Sequence, residues 1–97
     1  MKDFTMKPTY KQKISADFFN GLAHPRRQML FQILREYGAA GMPFHSLLSR
    51  SGFTPSTLAF HISKMAKGHI VKRKIKGAET WLILNKSSFD LYYTSMH

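Results

Sequence analysis

The stretch Gly52-Phe53-Thr54-Pro55-Ser56-Thr57-Leu58-Ala59-Phe60-His61-Ile62-Ser63-Lys64-Met65-Ala66-Lys67-Gly68 decides how this chain folds. Thr54 carries a hydroxyl that can accept a bond from an unpaired amide at a helix start. Pro55 suits the first helical position because it has no amide to leave unpaired. Gly68 suits the end. At 100° per residue, Leu58, Ile62 and Met65 fall on one side and His61 borders that stripe. Ser56, Phe60, Ser63, Lys64 and Lys67 fall on the other. The spacing predicts a helix over 55–67 with a core-facing stripe and an outward face of hydroxyls, ammonium groups and one ring. An exposed phenylalanine is costly in water unless something apolar covers it; the alternative is a phase in which Phe60 joins the core.

Just upstream, Pro43 is expected to open a short helix with Phe44, Leu47 and Leu48 on its apolar face, ended by Ser51-Gly52. A short helix, a tight turn and a second helix make a helix-turn-helix. Further back, Ile14, Phe18 and Leu22 recur every four residues from a start near Ser15, with Phe19 beside them. His24-Pro25 breaks that helix and begins another, because the residue before a proline is pushed out of the α region. In this second helix Leu30, Ile33, Leu34 and Tyr37 form the buried stripe, extended by Met29, and Gly38 is the stop. Arg26, Arg27 and Arg35 are left facing solvent or phosphate.

Downstream, residues 70–75 and 80–84 are β-branched and aromatic, joined by Lys76-Gly77-Ala78-Glu79, a hairpin signal. A basic hairpin after a helix-turn-helix is a wing. Asn85-Lys86-Ser87 can cap a last helix with Phe89, Tyr92, Tyr93 and Met96 as its apolar positions. The fold class expected is mainly α (α+β): a winged helix-turn-helix of about five helices with a two-stranded β-hairpin wing. Residues 1–13, with Lys2, Lys7, Lys11, Lys13 and Pro8 and no period, read as a flexible basic arm. Residues 14–97 read as the domain, flanked by terminal helices suited to dimerisation.

A chain of 97 residues has material for one core. Fifteen Lys and Arg against five Asp and Glu give a net charge of +10, which calls for a polyanionic partner. The charge is concentrated: Lys64, Lys67, Lys72, Arg73, Lys74 and Lys76 fall in a segment without acids. The longest apolar run, Trp81-Leu82-Ile83-Leu84, is far short of the roughly 20 residues that span a bilayer, so no membrane partner is expected. No cysteine is present and no signal is evident, so the expected location is the cytoplasm. No nucleophile-base pair, phosphate loop or metal set is legible, which excludes catalysis and leaves no cofactor to expect.

Several words in this order resemble the ArsR-type winged-helix regulators. Leu22-Ala23-His24-Pro25-Arg26-Arg27, followed by Leu30 and Ile33-Leu34, resembles the opening of that family, which reads L-(A/G)-(H/D)-P-x-R before an amphipathic helix. Gly52 to Ile62 is similar to its recognition helix, near G-L-S-x-S-T-V-S-x-H-L, and Gly68-His69-Ile70-Val71 and Gly77-Ala78-Glu79 to its wing elements. The resemblance covers about residues 15–90. It implies a dimeric transcription regulator, of the repressing kind, whose terminal helices form the two-fold interface. Two departures stand out. Thiolate metal or redox sensing is excluded without cysteine, and Asp90 with His97 is only a partial echo of the family's carboxylate and histidine ligands on the last helix.

The expected partner is double-stranded DNA, with Ser56, Thr57, Phe60 and Lys64 facing base edges in the major groove. His61 is expected packed or bonded to a phosphate. Lys67, Lys72, Arg73, Lys74 and Lys76 are expected along phosphates, where they supply affinity more than sequence choice. Phe18, Phe19, Leu91, Tyr92 and Met96 are expected at a homodimer interface; the alternative is that they cap the monomer's own core. A dimer would present two such helices about 34 Å apart to an inverted-repeat operator. Two other readings stay open: a winged-helix module docking on protein or RNA, and a nonspecific nucleoid-associated protein. The sequence names no effector, small molecule or protein.

Overall fold

The computed structural model describes residues 10–86. Its elements in chain order are α1 (Tyr10–Leu22), α2 (Pro25–Tyr37), β1 (Met42–Pro43), α3 (Phe44–Ser51), α4 (Pro55–Lys67), β2 (Val71–Lys76) and β3 (Glu79–Leu84). This is a winged helix-turn-helix: α3 and α4 are the pair, and β2 and β3 the wing.

The breaks fall where local chemistry puts them. His24 is extended (φ −142°, ψ 134°) and its Nδ1 accepts from the Arg26 amide at 3.1 Å, while Pro25 takes the first helical position. Gly38 ends α2 at φ 86°. Thr54 caps α4, its Oγ1 accepting from the Thr57 amide at 3.3 Å.

One core holds these elements together. Leu30 and Leu34 of α2, Leu47 of α3, Leu58 and Met65 of α4, Met42 of β1 and Leu82 of β3 are fully buried. Each such side chain stabilises the fold by about 1.5–3 kcal/mol. The α1–α4 crossing is close because two glycines sit at it. A Cβ on Gly68 would lie 2.5 Å from the Asp17 carbonyl oxygen, and one on Gly21 would lie 3.2 Å from the Lys64 carbonyl oxygen.

The sheet is antiparallel in the order β1-β3-β2, with Met42 opposite Leu82 and Pro43 opposite Trp81. The third strand corrects the expected two-stranded wing: at two residues β1 is too short to leave an alternation in sequence. Pro43 accordingly ends a strand and caps α3 rather than opening it.

Other expectations change as well. α1 starts at Tyr10, so residues 10–13 are helical where the arm was expected, and residues 1–9 lie outside the described part. Arg27, expected toward solvent, is only 8% exposed, whereas Met29 and Tyr37, expected in the buried stripe, are 40% and 46% exposed. Tyr37 lies at the helix end, where its ring receives Arg50 at 5.6 Å instead of the core. Gly68 is not left-handed (φ −79°); the following His69 takes that conformation at φ 59°. Four helices are described; the expected last helix, with Phe89, Asp90, Leu91, Tyr92, Tyr93, Met96 and His97, falls on residues outside the described part.

Gly68→Ala tests the crossing. The flanking Asp17 carbonyl is backbone and cannot swing away, so the variant is expected to lose about 1–3 kcal/mol of stability. The measurement is the urea midpoint by circular dichroism; an unchanged midpoint contradicts the close approach.

Candidate nucleic-acid interface

Burying Leu58, Ile62 and Met65 forces the opposite side of α4 outward. Ser56, Ser63 and Lys67 are exposed, Phe60 is 56% exposed, and Lys64 is half-buried. Phe60 is therefore outside the core, as the first phasing required. Lys64 Nζ lies 5.6 Å from the centre of the Phe60 ring, a cation–π contact that holds ring and charge together on one surface. Thr57 is half-buried and its hydroxyl accepts from Thr54 Oγ1 at 2.9 Å, so it belongs to the cap as much as to the outward face.

His61 is 3% exposed, so of its two expected places it takes the packed one. The signal was present in the sequence, since 58, 61, 62 and 65 follow the i, i+3, i+4, i+7 spacing of a buried stripe. Its ring packs between His24 at 4.8 Å and Phe60 at 5.4 Å, and its Nδ1 has no hydrogen-bond partner. Burial, followed by the charges of His24, Arg27 and Arg26, pushes its pKa below the ordinary imidazole value.

The pairing of the wing splits its cations. Arg73 lies opposite Leu82 and Ile75 opposite Thr80, on the face turned to α4; Lys72, Lys74 and Lys76 share the other face with Ile83, Trp81 and Glu79. Lys76 Nζ sits 4.1 Å over the Trp81 ring. Between α4 and the wing runs an open cleft of about 500 Å³ lined by Ala59, Ile62, Ser63, Arg73, Thr80 and Leu82. Ile75, which sequence reasoning passed over as a strand residue, is 76% exposed at the wing. Phe53 was missed as part of this surface; Arg26, expected toward solvent or phosphate, places its Cζ 5.5 Å from the Phe53 ring at the turn before α4.

The expected dimer residues divide. Phe18 is 5% exposed and packs in the protomer's own core, a correction to its expected interface role; Phe19 is 45% exposed and meets Phe18 edge-on at 5.7 Å. Leu91, Tyr92 and Met96 lie outside the described residues. Among the described residues no three His, Asp or Glu groups converge on a metal position, and no helix is long and apolar enough to cross a membrane.

His61 makes stability depend on pH. The unfolded imidazole takes up a proton near pH 6.5, while the buried one resists it, so below that value the unfolded chain binds more protons. Stability is thus full above about pH 6.5 and declines as pH falls. The wild-type urea midpoint is expected to drop between pH 7.5 and 5.5, and by less in His61→Leu; equal drops in both would show that His61 is not the source.

No protein-family profile and no curated relative matches the chain. Solved structures do. An ArsR family transcriptional regulator superposes with a TM-score of 0.75 at 16% identity, over 86% of this chain and 88% of the other. A homodimeric winged helix-turn-helix DNA-binding domain from Mycobacterium bovis gives 0.72 at 15% identity, over 94% and 87%. The transcriptional repressor BigR from Xylella fastidiosa gives 0.63 at 22% identity, over 82% and 84%. The resemblance carried by Leu22–Arg27 and Gly52–Ile62 thus extends to three dimensions: the chain has the winged helix-turn-helix fold of solved ArsR-family transcriptional regulators.

Proposed function

We propose that this protein is a sequence-specific DNA-binding transcriptional regulator, working as a homodimer on an inverted-repeat operator. The observation that carries the reading is the outward face of α4, where Ser56, Phe60 and Ser63 stand exposed with Lys64 beside a basic wing. Hydroxyls can donate to or accept from base edges, a lysine can reach guanine O6 and N7, and a thymine methyl would cover the Phe60 ring. Thr57, tied into the cap, has the smaller share.

The wing supplies affinity. Lys72, Lys74 and Lys76 on one face and Arg73 on the other would straddle a phosphate backbone, with little dependence on sequence. Ile75 between them is suited to the sugar wall of a minor groove, where exposed apolar side chains are covered. The M. bovis domain named above is homodimeric and BigR is a repressor; both facts support the same assignments here. Phe19, 45% exposed, is the described side chain of the expected interface set that stands outside the core.

Selection of bound duplexes from a random pool tests the reading. The expected product is an inverted repeat with half-sites about 34 Å apart. Phe60→Ala is expected to relax the preference at one thymine, at about 1–3 kcal/mol for the lost discrimination. Lys74→Gln is expected to weaken all duplexes alike and lower the slope of log affinity against log salt by about 0.9. Equal affinity for every duplex would overturn sequence-specific reading, and binding to no duplex would overturn the assignment.

A further inference from the structure

We propose that the junction of the α2 start with the turn before α4 is a seat for one backbone phosphodiester of bound DNA, made by Arg26 and His24 and braced by Arg27 and His61. The inference rests on the DNA-binding reading and adds a contact outside the recognition helix and the wing. Its geometry begins with the cap. His24 Nδ1 accepts from the Arg26 amide, so in the neutral ring the proton sits on Nε2, leaving that N–H as a donor. Arg26 is exposed, and its guanidinium is held 5.5 Å from the Phe53 ring, at the entrance to α4. A helix start with an exposed guanidinium and an imidazole donor has the chemistry of an oxyanion site.

A second, independent observation lies beneath it. His61, 3% exposed, meets the capping His24 ring at 4.8 Å with the planes tilted by 52°, and its Nδ1 has no partner; Arg27, 8% exposed, has an unpartnered Nε in the first turn of α2. Buried polar groups left so in a cationic cluster cost stability unless an anion offsets them. No carboxylate fills that role among the described residues. Glu36 pairs with Arg50 at 3.3 Å, Glu79 lies 3.7 Å from His45, and Asp17 lies on α1 at the Gly68 crossing. The seat therefore suits a negative group brought from outside, and it stands beside the N-terminal end of α4, where a duplex engaged by Ser56 and Phe60 would present its backbone.

The test compares the full chain with Arg26→Gln, His24→Asn and Arg35→Gln on duplex DNA of random sequence across a range of salt. Asparagine keeps a capping acceptor and removes the imidazole donor. Arg26→Gln is expected to lower affinity about tenfold near 0.1 M salt and the salt slope by about one, equally for all sequences. His24→Asn is expected to lower affinity several-fold, and Arg35→Gln, toward the far end of α2, to leave affinity and slope unchanged. Circular dichroism confirms that each variant folds. A wild type that binds with a slope unchanged in Arg26→Gln overturns the seat and spares the regulator reading. A wild type that binds no duplex overturns both. Inorganic phosphate titrated without DNA separates the source of the oxyanion: movement of the His24 and His61 ring resonances only at tens of millimolar supports a duplex phosphate. Saturation at micromolar phosphate would reassign the seat to a free anion and overturn the proposal.

Discussion

The surface that this protein offers to a partner depends on how α4 is pinned. Its inner stripe, Leu58, Ile62 and Met65, is driven out of water into a core completed by α2, α3 and the sheet. Gly21 and Gly68 let α1 approach so closely that the rod has little room to roll. A rotation of about 100° would bring Phe60 inward and expose Leu58, at a cost of several kcal/mol in apolar burial. Direction on one side of the helix is thus purchased by packing on the other.

Charge follows from this arrangement rather than from composition alone. A net charge of +10 would attract a polyanion in any fold. The fold determines where the charges stand. Lys64 is drawn against Phe60, Arg26 against Phe53 and Lys76 against Trp81, so several cations are tethered to aromatic faces instead of moving freely in water. Tethering lowers the entropy that each side chain loses on meeting a ligand. The carboxylates of Glu36 and Glu79 lie beside Arg50 and His45, so neither serves as a countercharge at the junction of α2 and α4.

Much of the site was legible because helices have a short, fixed period. Three apolar residues at 58, 62 and 65 suffice to orient thirteen positions of α4, and Thr54 and Pro55 mark its start by chemistry confined to one turn. The same rule, applied to polar residues, would have placed His61 and Arg27 inside. Both occupy stripe positions, 61 with 58, 62 and 65, and 27 with 30 and 34; Arg27 was turned outward and His61 left on the border, because their side chains can carry charge. Burial is decided by the stripe's geometry, and a titratable group caught in it adapts, as the lowered pKa of His61 records.

By itself the sequence determined what depends on neighbours in the chain: helix starts and stops, the stripes, the hairpin and the concentration of positive charge. Those properties act over one or two turns, within reach of local periodicity and capping. Tertiary structure decided what depends on residues far apart. The pairing of Met42 with Leu82, the glycine contact between α1 and α4, the division of the wing's cations and the meeting of His24 with His61 all arise only when remote segments close together. No local pattern encodes them, because each is fixed by the shared core that both partners help to fill.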